Sequence, residues 1–257
     1  MALGLRCRGL RGLDLAGERL VVMRHDVDNL WGIYGRGLAS RVKKLANYAY
    51  LALSPVRLRS LLPGFLECVL EVVDLERDYG ARSTFFFRVP TAPTRELARE
   101  LVSKGFEIGY HSDRNDTFDS FLRDLRLLER LAGVRVLGFT KHGHSPVRGG
   151  GPWDESRFVE YGVRAGLKYL AQGEGHPEWE LPRVVRGLVL FGHHVTLRRS
   201  RIEDVRAYVE LRELPLILVH PEDISAPGER EKFEEVLSMG RVVSVAEALK
   251  MLGVIEV

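Results

Sequence analysis

Short apolar runs recur along the chain, and five of them end at a histidine. LVVM runs into Arg24-His25-Asp26-Val27-Asp28, FEIGY into His111-Ser112-Asp113, and VLGFT into Lys141-His142-Gly143-His144; LVLFG runs into His193-His194, and LILV into His220-Pro221-Glu222-Asp223. A continuous apolar run of four or five residues is the signature of a parallel strand buried on both faces. Between these runs lie segments with apolar residues at helical spacing, predicted as helices over 64–79, 94–104, 117–131, 154–165, 203–213, 229–238 and 244–252. Strands are predicted at 20–23, 82–88, 106–110, 134–140, 167–170, 187–191, 214–219 and 241–243. Strand and helix alternate almost throughout, which predicts an α/β fold: one distorted (β/α) barrel of about seven strands, closed or nearly closed.

The whole chain, 1–257, reads as one domain, since no linker, low-complexity tract or repeat divides it. A helical insertion at about 30–62 breaks the alternation between the first strand and its helix. It carries Trp31, Tyr34, Tyr48 and Tyr50 with several Arg and Lys. Starting at a strand exit, it is expected to overhang the pocket as a lid or to form an oligomer contact.

Composition narrows the class. A formal charge of +3 without a basic run interleaved with aromatics excludes nucleic acid as the default partner. No apolar stretch is long enough to span a bilayer, and the amino-terminal residues lack an unbroken apolar core, so the reading is a cytoplasmic protein. Cys7 and Cys68 lie outside any C-x-x-C spacing, so thiolate metal binding is not expected, and whether the two pair is left open. Arg outnumbers Lys 31 to 7, with only three Asn and one Gln. That scarcity of thermolabile amides points to a thermophile, although a GC-rich genome would also favour Arg.

Active sites of α/β barrels lie at the carboxyl ends of the strands, where these histidines and aspartates fall. Asp26 and Asp28, two apart on an extended segment, point to the same side and repel when ionised. A bound cation resolves that repulsion by taking one carboxylate as a ligand and leaving the other as a base. His111 suits the next ligand position, and a site with at most three protein ligands keeps a place open for water. Asp26, Asp28, His111, His142 and His220 are therefore expected to surround one pocket. His193 and His194 read as structural or pocket-lining, and His176 as loop.

The ordered set RHDVD, STFFFR, ELVSKGFEIGYHSDRND, GFTKHGH, LILVHPED and SVAEAL, spanning about residues 20–252, resembles the polysaccharide deacetylase (NodB-homology, carbohydrate esterase family 4) superfamily. The resemblance implies metal-dependent hydrolysis of an acetamido group on an N-acetylated sugar or a related small amide. It gives Asp26 as catalytic base, His220 as general acid, and Asp28 and His111 as ligands of a divalent metal, zinc first with cobalt or nickel as alternatives. The second histidine of the family's metal motif is Asn115 here, a weaker zinc donor than imidazole. Either His142 or His144 completes the site, with Asn115 kept as a candidate ligand, or metal binding is weak or lost. The family's base-orienting arginine is replaced by Thr140-Lys141-His142, for which Lys141 or Arg24 substitutes loosely.

Arg24, His25, Lys141, His144 and Trp153 are the candidate substrate contacts. The expected partner is a small-molecule or carbohydrate substrate, and a homo-oligomer is left open. A ureide or cyclic-imide hydrolase on the same scaffold, and a carbohydrate-binding protein that has lost its metal, are the alternatives.

Overall fold

The computed structural model describes residues 19–32, 37–53, 62, 64–143, 152–172, 181–191 and 194–255. Cys7, Tyr34, His144, His176 and His193, all singled out in the sequence, lie outside the described residues.

Among the described residues ten strands form one sheet: β1 (Leu20–Val27), β2 (Thr84–Phe87), β3 (Glu107–Ser112), β4 (Gly138–Lys141), β5 (Tyr169–Leu170), β6 (Arg183–Val185), β7 (Leu188–Leu190), β8 (Val195–Thr196), β9 (Leu216–Val219) and β10 (Arg241–Val243). Their order is β6-β7-β5-β4-β3-β2-β1-β9-β8, with β10 beside the first half of β1, and every pairing is parallel except β6 with β7. Eight helices among the described residues alternate with them: α1 (Leu38–Leu53), α2 (Glu67–Asp78), α3 (Arg95–Ser103), α4 (Phe118–Ala132), α5 (Glu155–Ala165), α6 (Ile202–Leu211), α7 (Glu229–Ser238) and α8 (Val245–Met251).

Among the described residues the sheet curls into a half-barrel with β6 and β8 at its ends. β6 and β7 form a hairpin whose turn residues, Arg186 and Gly187, both have positive φ, which suits a two-residue hairpin turn. That hairpin takes the edge of β7 that closure would need. β8 follows in sequence but pairs only with β9. Arg183–Val185 and Val195–Thr196 are too short to stand out as apolar runs, so neither was expected.

Alternation along β1 sorts the core. Val21, Met23 and Val27 join Phe85, Phe87, Ile108, Tyr110, Phe139, Ile217 and Val219 in the layer against the helices. Leu20 and Val22 join Phe86, Tyr169, Val189, Leu216 and Val243 inside the barrel. Each such side chain, fully buried, contributes about 1.5–3 kcal/mol. Gly109 and Gly138 lie on the inner face, where a Cβ would come within 2.3 Å of the Phe86 ring and 2.0 Å of the Tyr169 ring. Both strands give up a side chain so that two rings can fill the barrel.

Local signals position the helices. Thr94 caps α3, Thr117 and Ser120 form a capping box on α4, and Asp154 caps α5 by accepting from the Arg157 N–H. Gly133 and Gly166 close α4 and α5 in the left-handed conformation. Among the described residues no helix is long and apolar enough to cross a membrane.

Candidate active site

The inner-face register that buries Leu20 and Val22 carries Arg24 and Asp26 to the carboxyl end of β1, with Asp28 just beyond it. Asp28 Oδ1 lies 2.9 Å from His142 Nδ1 and 3.3 Å from His111 Nε2, and the two imidazole nitrogens are 3.1 Å apart. These three atoms converge from the exits of β1, β3 and β4. Ligands of a tetrahedral zinc ion at 2.0–2.1 Å stand about 3.3 Å from one another, so the triangle fits such an ion without rearrangement. The donor set, one carboxylate and two imidazoles, suits zinc, cobalt or nickel and leaves a coordination position open.

The surrounding groups support this arrangement. His111 Nδ1 shares a 2.6 Å hydrogen bond with Thr140 Oγ1, which leaves Nε2 turned toward Asp28. Asp26 Oδ2 lies 3.9 Å from His111 Nε2 and 3.5 Å from Arg24 Nη2, while its buried Oδ1 has no hydrogen-bond partner among the described residues. His220 follows β9, with Nε2 3.7 Å from Asp28 Oδ2 and Nδ1 3.6 Å from Asp223 Oδ2. Asp223 is itself held by Arg198 at 3.1 Å. Arg88, at the exit of β2, donates to the Asp28 carbonyl at 3.2 Å and pairs with Asp113 at 2.6 Å. One buried guanidinium thus ties the β1 exit to the β3 exit.

Charge follows from burial and neighbours. Burial would raise the Asp28 carboxyl, but the His142 charge and hydrogen bonds from His111 and His142 outweigh it and hold the group well below the usual carboxylate range. Burial likewise opposes ionisation of Asp26, and Arg24, His111 and His220 together hold it down. His111 is lowered by burial, partly opposed by Asp26 and Asp28. Both aspartates are therefore ionised at neutral pH beside a largely neutral imidazole, the state a cation requires.

The other sequence candidates lie elsewhere. His25 occupies the opposite face of β1 from Arg24 and Asp26. It is fully buried, stacked on Phe85, with Nε2 2.6 Å from Glu76 Oε1. Strand alternation places it against α2 and excludes a substrate contact. Trp153 stacks on Phe158 of α5 with ring centroids 5.4 Å apart, in the helix layer. Lys141 turns its ammonium onto the carbonyls of His142 and Gly143, at 3.1 and 2.9 Å. Arg24 donates to the Ala171 carbonyl and lies beneath Asp26, where it orients the carboxylate.

Asn115 is buried and donates to the Ser112 carbonyl at 3.0 Å, so its amide tethers the β3 exit. His194 is half-buried after β7. Cys68 is buried and has no disulfide partner among the described residues. Thr140, Arg88 and Asp223 were not picked out from the sequence as site residues. The one available signal for Thr140 was a hydroxyl on the inner face of β4, level with His111 in the strand register.

At the insertion, α1 docks at this same end of the barrel. Asn47 accepts from the Leu30 N–H at 2.9 Å and donates to Asn29 Oδ1 at 2.5 Å, and Asn29 bonds Glu222. Trp31 and Tyr50 are buried in the core, whereas Tyr48 is exposed.

The fold has solved relatives. A protein from Mycobacterium smegmatis assigned as a polysaccharide deacetylase superposes with a TM-score of 0.63 at 17% identity, over 92% of this chain and 91% of its own. A second protein so assigned, from Pseudomonas aeruginosa, gives 0.59 at 14% identity, over 90% of each chain. The chain has the polysaccharide-deacetylase fold. No known protein-family pattern matches the sequence, and no curated protein does. Within the polysaccharide-deacetylase fold the donor cluster falls at the carboxyl ends of the strands, where α/β barrels keep their chemistry.

Proposed function

We propose that the chain is a metal-dependent hydrolase of the deacetylase type, acting on C–N bonds other than peptide bonds and removing an acetyl group from an N-acetylated sugar or a related small amide. The observation that carries this reading is the triangle of Asp28, His111 and His142, with Asp26 within 3.9 Å of His111 and His220 within 3.7 Å of Asp28. A divalent ion held by those three residues would polarise the amide carbonyl and acidify a water, with zinc favoured by the donor set and cobalt or nickel as alternatives.

Asp26, ionised and steadied by Arg24, accepts the proton of the attacking water. His220 hands a proton to the departing amine, its ring oriented by Asp223 behind Nδ1. The Thr140 hydroxyl on Nδ1 fixes the His111 ring with Nε2 toward Asp28. The alternative of a carbohydrate-binding protein without catalysis rested on Asn115 in place of the motif's second histidine. An imidazole donor from His142 beside Asp28 and His111 favours the enzyme.

The test is acetate release from N-acetylglucosamine oligomers and from simple N-acetyl amines, using protein loaded with zinc, cobalt or nickel. The reading expects metal-dependent release that falls at least a hundredfold in Asp26→Asn and in His220→Ala. Stoichiometric metal with no acetate from any of these substrates would overturn it.

A further inference from the structure

Five of the ten exposed large hydrophobic side chains among the described residues lie on one 16-residue helix. They are Leu38, Val42, Leu45, Tyr48 and Leu53 of α1, each between 50% and 79% exposed. With Ala49, four of them recur at i, i+4, i+7, i+11 and i+15 (Leu38, Val42, Leu45, Ala49, Leu53) and form one stripe along the helix. The opposite edge, through Asn47, Tyr50 and Leu51, is buried against the body of the protein. The helix is thus anchored on one side and apolar toward solvent on the other.

Its charges select the occupant. α1 contains Arg41, Lys43 and Lys44 and no acidic residue. Lys43 is paired with Glu67. Among the described residues neither Arg41 nor Lys44 has an acidic partner; Arg41 borders the stripe, and Lys44 lies over the Tyr48 ring. A second copy docking symmetrically on this stripe would bring two helices of like charge together, which is unfavourable. An anionic bilayer offers acyl chains to the stripe and negative headgroups to Arg41 and Lys44, and Tyr48 has the amphipathic ring that favours the interface.

We propose that α1 is an interfacial helix that seats the protein on an anionic lipid surface, with Leu38, Val42, Leu45 and Leu53 entering the headgroup boundary. Asn47 ties the helix to Asn29 and Leu30, directly after Asp28. Docking would therefore hold the strand-exit end of the barrel near the bilayer. The inference goes beyond the deacetylase reading and does not depend on it.

The test is sedimentation of the full chain with vesicles of phosphatidylcholine alone and of phosphatidylcholine with one-third phosphatidylglycerol. The substitutions are Leu45→Asp and the pair Arg41→Glu with Lys44→Glu, all at exposed positions, with thermal melts to confirm folding. Binding is expected only to the anionic vesicles, weaker at high salt, with the partition coefficient at least tenfold lower in both variants. Three results would overturn the proposal: no partition by the wild type; partition that both variants leave unchanged; or a dimer in light scattering that Leu45→Asp dissociates, which would assign the stripe to a second copy.

Discussion

His111 Nε2 and His142 Nδ1, from two neighbouring parallel strands, stand 3.1 Å apart with their rings nearly perpendicular. Both also face Asp28 Oδ1. Without an ion, one nitrogen must donate to the other or to the carboxylate. With one, all three atoms direct lone pairs at a common point. Parallel register sets the relationship, because β3 and β4 pair His111 directly with Thr140 and so bring His142 two residues beyond that level.

Thr140 carries the first prediction. Thr140→Val keeps the shape and removes the hydroxyl that fixes the His111 ring. Zinc affinity is expected to fall about 10–100-fold, and the unpaired buried Nδ1 to cost about 1–3 kcal/mol of stability. Titration against a competing chelator, alongside urea unfolding, checks both. Unchanged affinity would mean that packing alone holds the ring.

Asn115 gives a contrasting case. Its amide already serves the Ser112 carbonyl in a fully buried place, which an imidazole cannot fill without strain. Asn115→His is therefore expected to destabilise the protein by about 1–3 kcal/mol and to leave zinc affinity unchanged, whereas His142→Ala loses it. Tighter zinc binding in Asn115→His would transfer the third ligand position from His142 to Asn115.

A pH effect belongs to the other end of the barrel. Glu107 is half-buried, accepts hydrogen bonds from Tyr169, Thr84 and the Ala246 N–H, and has its pKa raised by desolvation despite those bonds. A carboxyl raised in the folded state contributes stability that is full below its unfolded pKa, about 4.3, and is lost as pH rises through the folded value. Glu107→Gln is expected to gain on the wild type between pH 4 and pH 7. Urea midpoints at the two values measure this, and a constant difference between the proteins would count against it.

Much of this was legible in the sequence because buried parallel strands write their side chains as continuous apolar runs. Eight of the ten strands lie within or overlap such runs, and the helix from Asp154 starts at its cap. The runs also marked where donors gather, which brought Asp26, Asp28, His111, His142 and His220 into one list. What continuous runs cannot encode is which face each residue takes. His25 sits between Arg24 and Asp26 in sequence yet points to Glu76, because alternation inverts every neighbour. The same limit hid Thr140, whose part depends on a partner in the next strand. Trp153 was read as a substrate contact, but its ring stacks on Phe158 in the helix layer. The openness of the barrel was also illegible, since it depends on a three-residue strand folding back on β7.

The most direct test of the central claim is metal stoichiometry across three variants, read from the visible spectrum of the cobalt-loaded protein and from elemental analysis. Wild type is expected to hold one ion per chain in a four-coordinate environment. Asp28→Ala and His111→Ala should lose it, and Asp26→Asn should keep it while losing turnover, because Asp26 lies beside the triangle rather than in it. Equal metal loss in all three variants would contradict the assignment of Asp26 as base, and a wild type that binds no ion would contradict the metal centre itself.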